Sequence, residues 1–229
     1  MPHLAISFQK QPPMRKVLLG LMPAAAGAVF FFGWIALFFI VISLLSCVLT
    51  EWLFLRKKGG KVPEAVLVTG LLYALILPPT LPFYMIILGA VFAITFGKMA
   101  FGGFGFNIFN PAMVGRAFVY ITFPIHMTNR WIPAANFSDF PGGFAAWRFT
   151  PDVSNISTIT SATASHAYRA GAETLPSIMQ LIFGNINGVF QKLGESVFIG
   201  GGSLGETSAL FIAAGGAYIL YKKVAKWRL

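Results

Sequence analysis

Few residues in this chain have the chemistry to do more than pack, and most of those stand in apolar surroundings. Glu51, in "CVLTEWLFLRKK", is the acid set deepest in an apolar run. An ionisable group so placed is a candidate for a cation or proton pathway, and the competing assignment is a helix-end carboxylate paired with Arg56 or Lys58. Ser203, in "GGSLG", fits the G-x-S-x-G nucleophile pattern, with His126 and His166 as available bases. That pattern needs a strand, a sharp turn and a helix, and no strand is evident upstream, so in a chain with 24 glycines it reads as a chance match. "GGFGFN" is glycine-rich but lacks the strand–helix setting of a dinucleotide fold. Glu206, at the start of an apolar segment, reads as a helix-terminal anion with a capping role. The lone Cys47 excludes an internal disulfide and reads as a small core residue. Last comes "SNISTITSATASHAYRAG", residues 154–171, which sets Ser154, Ser157, Thr158, Thr160, Ser161, Thr163 and Ser165 close together. Each hydroxyl there is able to accept a phosphoester. These patterns assign no catalytic residue and no metal ligand set.

The elements that position these groups are membrane helices. Of 229 residues 56% are hydrophobic and 10% charged, and the mean hydropathy is +0.73. A soluble domain carries about a quarter charged residues. The apolar residues form long runs rather than one-face stripes, which predicts helices over residues 17–34, 35–55, 65–77, 83–97, 111–123 and 208–221. Gly33 lies near the first turn, and "PPTLP" at 78–82 stops the third helix. The basic lead and "PAAAGA" mimic a cleaved signal, but a second apolar run follows at once, so this helix is retained. Segments 65–79 and 111–124 are too short for a comfortable span and read as broken or half helices, which line midplane sites in transporters.

The net charge of +10 does not imply nucleic acid, because the basic residues gather at the ends of apolar segments. With the N-terminus in the cytoplasm, segments 1–16, 56–64, 98–110 and 222–229 are inner and hold most of the Lys and Arg; Lys98 marks the third. Residues 125–205 balance four basic residues against four acidic ones and fall outside. The expected architecture is an all-α integral membrane protein, a polytopic helix bundle with broken helices and one long extracytoplasmic loop. It divides into membrane helices (1–124), the loop (125–205), and a last helix with a basic cytoplasmic end (206–229). On these features alone a passive transporter or channel module without a redox cofactor is the rival function.

Several motifs then line up in order: "LTEWLF", "LVTGLLYALILPPTLPFYM", "GKMAFGGFGFNIFNPAMVGRAFVYITFP" and "GSLGETSALFIAAGGAYILYKKVAKWR". Together they resemble the NqrB/RnfD family, membrane flavoprotein subunits of sodium-pumping NADH:quinone oxidoreductase and of Rnf ferredoxin:NAD complexes. The short N-terminus is closer to the RnfD type. The resemblance implies FMN held covalently, through a phosphoester, on the threonine that ends a D-x-x-(S/T)-G-A-T motif. "TSAT" matches it, which makes Thr163 the acceptor, with Thr160 and Ser161 in the recognition stretch. Ser161 stands where the motif has glycine and Ser157 where it has aspartate. Arg169 is assigned to balance the flavin phosphate. The resemblance also implies a second, non-covalent flavin such as riboflavin, the other Rnf or Nqr membrane subunits and a flavin transferase as partners, and the bacterial inner membrane as location. Nucleic acid is not among the partners. By this resemblance the chain works within a multisubunit oxidoreductase and translocase of Na⁺ or H⁺ and is inactive alone. The family has about ten helices, so the chain is expected to lack the C-terminal ones.

Overall fold

The computed structural model describes residues 7–56, 59–128, 177–184, 189–191, 197–199 and 202–225. The predicted helices are present with small shifts at their ends: α1 (Pro12–Phe32), α2 (Trp34–Arg56), α3 (Ala65–Leu75), α4 (Phe83–Gly97) and α5 (Pro111–Thr122). A one-turn α6 (Pro124–Thr128), a short α7 (Ile178–Phe183) and α8 (Ala209–Tyr221) complete the helices among the described residues. Gly33 breaks α1 from α2 with φ 64°, a conformation that costs glycine little and other residues more. Pro82 and Pro111 open α4 and α5, where the missing N–H is not needed. The fold is all-α as expected, with two small sheets beside the helices among the described residues. Strand β1 (Phe8–Gln9) runs parallel to β2 (Val62–Pro63), and β3 (Val189–Gln191) pairs antiparallel with β4 (Val197–Ile199).

Among the described residues three helices are long and apolar enough to cross a bilayer: Pro12–Phe32, Trp34–Arg56 and Phe83–Phe101. At 1.5 Å per residue, the 23 residues of α2 reach beyond the ~30 Å hydrocarbon layer. Its outward residues Leu37, Phe38, Val41, Leu45, Leu49 and Leu53 are exposed and apolar, the surface that lipid rather than water requires. The inner faces of α1, α2 and α5 pack around α3, whose Val66, Leu71, Tyr73 and Ala74 are buried. With 11 residues, α3 reaches only about half the layer. The chain then turns through "PPTLP", and its backbone is not left unpaired. Leu75 C=O accepts from Gly205 N–H at 2.8 Å and Leu77 C=O from Leu204 N–H at 3.2 Å. Backbone polar groups at membrane depth need protein partners of this kind.

Contacts between backbones depend on glycine at two places. Gly215 of α8 lies against the Gly20 carbonyl of α1, so a Cβ there has no room. Gly89 of α4 is pressed against the Tyr73 hydroxyl, while a Cβ on Gly115 of α5 would stand 2.8 Å from Gly89 O. Small residues that let helices approach closely are the usual means of association in lipid. At the N-terminus, Gln11 and Glu64 cap one another's elements. Glu64 Oε2 accepts from Gln11 N–H at 2.8 Å, and Gln11 Oε1 accepts from Ala65 N–H at 3.1 Å. Arg15 Nε also donates to Glu64 at 2.9 Å. Glu64 is thereby held below the usual carboxylate range, chiefly by its bond to Arg15 and then by the Gln11 N–H.

Candidate functional site

On α2 three buried residues with polar or thiol side chains recur every fourth position, Ser43, Cys47 and Glu51, with Thr50 buried beside the last. That spacing places them in one row along the helix. Ser43 Oγ donates to the carbonyl of Gly70 at 2.7 Å, where Leu44 and Gly70 bring α2 and α3 close together. At the end of the row, the carboxylate of Glu51 meets the ammonium of Lys98, with Nζ 2.6 Å from Oε1 and 2.7 Å from Oε2. The two side chains are 1% and 2% exposed. Lys98 ends α4 and its backbone carbonyl accepts from Gly103 N–H at 3.1 Å, which fixes the start of the glycine-rich turn. Glu51 is thus neither a solvated helix-end carboxylate nor a partner of Arg56. Arg56 lies over the ring of Trp52 instead, 5.1 Å from its centroid.

Two charges removed from water repay their desolvation only through close geometry and further hydrogen bonds. Close geometry is present here. Among the described residues, however, Lys98 is the only hydrogen-bonding partner of the Glu51 carboxylate. Lys98 also lines a cleft of about 330 Å³ together with Met14, Thr69, Phe104, Asn107 and Asn110. The Phe104 ring centroid is 5.8 Å from Nζ, within range of a cation–π attraction. Asn110 shapes one wall, its side-chain oxygen accepting from Ala112 N–H at 3.0 Å and so capping α5. The arrangement is a buried carboxylate neutralised by one tethered cation, and only the cation's side chain lines the cleft. No cluster of three or more His, Cys, Asp or Glu suited to a metal occurs among the described residues.

Lys98 was legible in the sequence only as a marker of an inner segment, since nothing local ties it to Glu51, 47 residues earlier. The other candidate residues fall elsewhere. Thr160, Ser161, Thr163 and Arg169 lie outside the described residues. Ser203 is buried and donates to Glu206 Oε2 at 2.7 Å, so its hydroxyl is part of a turn. Glu206 does not cap a helix; its other oxygen faces Arg116 of α5 at 3.7 Å, and Ser208 is the residue that precedes α8.

The model of the NQR2, RnfD, RnfE family matches residues 1–229. The chain belongs to that family. Among curated relatives it is 34% identical over 236 residues to the D-type subunit of the ion-translocating oxidoreductase complex of Halorhodospira halophila, covering 100% of this chain and 65% of that protein. It is 34% identical to the corresponding subunit of the Na⁺-translocating ferredoxin:NAD⁺ oxidoreductase complex of Acetobacterium woodii, again over 100% of this chain and 63% of the relative. Against the same subunit of the proton-translocating ferredoxin:NAD⁺ oxidoreductase complex of Clostridium ljungdahlii the identity is 32%, with the same coverage. The chain therefore spans a little under two thirds of the length of these relatives. With its long apolar helices and outward apolar faces, this member of the family is an integral membrane protein.

Proposed function

We propose that the chain serves as a membrane subunit of an ion-pumping electron-transport complex of the Rnf/Nqr type, carrying FMN as a phosphoester on Thr163. The observation that carries this reading is the similarity over the whole chain to relatives named as D-type subunits of ion-translocating oxidoreductase complexes. The flavin rests on the sequence match "TSAT" alone, with Thr160 and Ser161 in the recognition stretch and Arg169 near the phosphate. Bound flavin supplies the redox chemistry, while the protein contributes position and electrostatics. The charge distribution supports a cytoplasmic N-terminus in the bacterial inner membrane, with residues 125–205 on the outer side. Glu51, buried and paired, is assigned to the ion route, and Na⁺ and H⁺ are both represented among the relatives' names. Partners in this reading are the other subunits of the complex, surrounding lipid, a flavin transferase and a second, non-covalent flavin.

Covalent flavin survives denaturation, so fluorescence in a denaturing gel tests the assignment directly. Co-expression with a flavin transferase should give a fluorescent band, and Thr163→Val, which keeps the branched shape but removes the hydroxyl, should abolish it. Thr160→Val should reduce it less. FMN mass on Thr160 or Ser161 in the peptide map would move the acceptor. A dark wild-type band beside an active transferase would sink the cofactor assignment and favour a passive membrane module.

A further inference from the structure

Among the described residues the acids are Glu51, Glu64 and Glu206, and each already has its own cation in Lys98, Arg15 and Arg116. Lys16, Lys222 and Lys223 are exposed, and none of these carboxylates is left for them. All three lysines fall at one end of the seam between α1 and α8. The two helices run antiparallel, with Gly20 against Gly215 and Ile219, and Gly27 against Phe211. One turn beyond Gly20, on the same face of α1, stands Lys16. One turn beyond Ile219 the chain of α8 reaches Lys222 and Lys223. The seam therefore ends in uncompensated positive charge.

The end of α8 that carries two of these charges has a distinctive backbone. Lys223 N–H donates to Leu220 C=O at 2.9 Å and Val224 N–H to Ile219 C=O at 3.2 Å, the pair of bonds that closes a helix around a left-handed residue. Glycine commonly fills that position. Here it is Lys223, at φ 53°, the one non-glycine residue at positive φ among the described residues. Lysines near a helix C-terminus also complement the macrodipole. The last carbonyls of α8, however, are already served by the backbone N–H groups of Lys222, Lys223 and Val224. The Lys222 ammonium lies over aromatic rings, 5.3 Å from the Tyr221 centroid and 5.9 Å from that of Tyr218. Tyrosine and lysine together at a helix end mark the level of lipid headgroups. Further into the membrane the surface is apolar, with Leu19 of α1 and Ile212 and Leu220 of α8 exposed. Gly216 stands one turn from both Ile212 and Leu220 and has open space where a side chain would be, which leaves a furrow between them.

We infer that this end of the α1–α8 seam binds the headgroup of an anionic phospholipid, with the phosphodiester against Lys16, Lys222 and Lys223 and an acyl chain along the furrow at Gly216. Ammonium groups are compact donors that suit phosphate oxygens, and basic pockets between membrane helices take up such headgroups. Lipid fits better than a soluble acidic partner, because the charges adjoin a bilayer-facing apolar surface and share the level of the tyrosines. A phosphate held there bridges the two helices and ties α8 to α1. The inference depends neither on the flavin nor on which side of the membrane this end faces.

The test titrates the full chain in detergent micelles with phosphatidylglycerol or phosphatidylcholine of matched acyl chains and counts bound lipid by native mass spectrometry. Phosphatidylglycerol should bind at least about tenfold more tightly. Lys16→Gln and Lys222→Gln should each weaken it about fivefold, the equivalent of ~1 kcal/mol per basic residue, and together about twenty-fivefold. The double variant Lys10→Gln/Lys61→Gln removes the same charge beside the β1–β2 pair and should change the affinity less than about twofold. Lys223→Gly separates the site from the scaffold. Glycine suits the left-handed backbone, so this variant should match or exceed wild type in thermal stability in phosphatidylcholine while binding phosphatidylglycerol several-fold more weakly. Equal affinity for the two lipids overturns the inference. So does a loss in Lys10→Gln/Lys61→Gln as large as in Lys16→Gln/Lys222→Gln, because the attraction is then diffuse. Lysine variants that keep their lipid affinity but shed a subunit from the assembled complex overturn it too, since the lysines then face protein.

Discussion

Replacing Lys98 by Met preserves a long unbranched side chain and removes its charge, leaving the Glu51 carboxylate buried without a partner. At 2.6 Å and an effective dielectric of about 20, the lost attraction is roughly 6 kcal/mol before solvation is counted. The measured loss should be smaller, because an orphaned carboxylate escapes its penalty by taking up a proton. At pH 7 that uptake costs an ordinary glutamate about 4 kcal/mol, within the ~3–5 kcal/mol typical of broken buried pairs. The same escape becomes easier as protons become abundant, so the deficit should shrink to about 1 kcal/mol at pH 5. Adding Glu51→Gln to Lys98→Met removes the orphaned charge and should restore most of the stability at pH 7. Reversible unfolding in mixed micelles, run as a double-mutant cycle at both pH values, measures all of these quantities. A Lys98→Met protein within about 0.5 kcal/mol of wild type at pH 7, or a deficit that does not change with pH, would refute the reasoning, since water would then already reach the pair.

Three further outcomes follow from features outside this site. Glu64 is held below the ordinary carboxylate range, so its contribution is fully present above that range and is lost as pH falls through the lowered value. The stability gap between wild type and Glu64→Gln should therefore be constant above about pH 5 and close below about pH 4 in acid titrations of the melting midpoint. Among the described residues the buried Tyr73 hydroxyl has no hydrogen-bond partner, so Tyr73→Phe should leave the midpoint unchanged or raise it. A loss above about 1 kcal/mol would reveal a partner for that hydroxyl. Gly215→Val places a branched side chain against the Gly20 carbonyl and should cost about 1–3 kcal/mol or more and detach α8 from α1, seen as protease access to the C-terminal helix.

The helices were legible because lipid demands long apolar runs, and glycine and proline mark where those runs break. Gly33, Pro82 and Pro111 all fall at the helix ends the structure shows. The broken character of α3 was legible too, but the groups that complete it were not. Leu204 and Gly205 reach Leu75 and Leu77 across more than half the chain, and nothing in "GSLG" announces a backbone donor. The same holds for the site. Glu51 stood out because a lone acid is conspicuous in an apolar run, whereas Lys98 looked like the basic residues that commonly flank membrane helices. Pairing is a tertiary fact, and charge alone does not choose between Arg56, Lys58 and Lys98. Strands β1 and β2 share only two register pairs, too few for an alternating pattern, and are fixed by the Gln11–Glu64 exchange beside them.

The stitching of α3 to the segment before α8 has a consequence for the order in which the protein is made. Residues 123–208 separate α5 from α8, and at about 5–20 residues per second the ribosome needs on the order of ten seconds to cross them. Throughout that interval α1 to α5 are already synthesised, while the carbonyls of Leu75 and Leu77 and the surface at Gly20 await partners not yet translated. Hydrocarbon offers those carbonyls nothing, and each stays costly until Leu204 and Gly205 arrive. The nascent bundle thus passes through a stage in which its central helix ends in an open polar notch, and the segment leading into α8 acts as the late wedge that closes it.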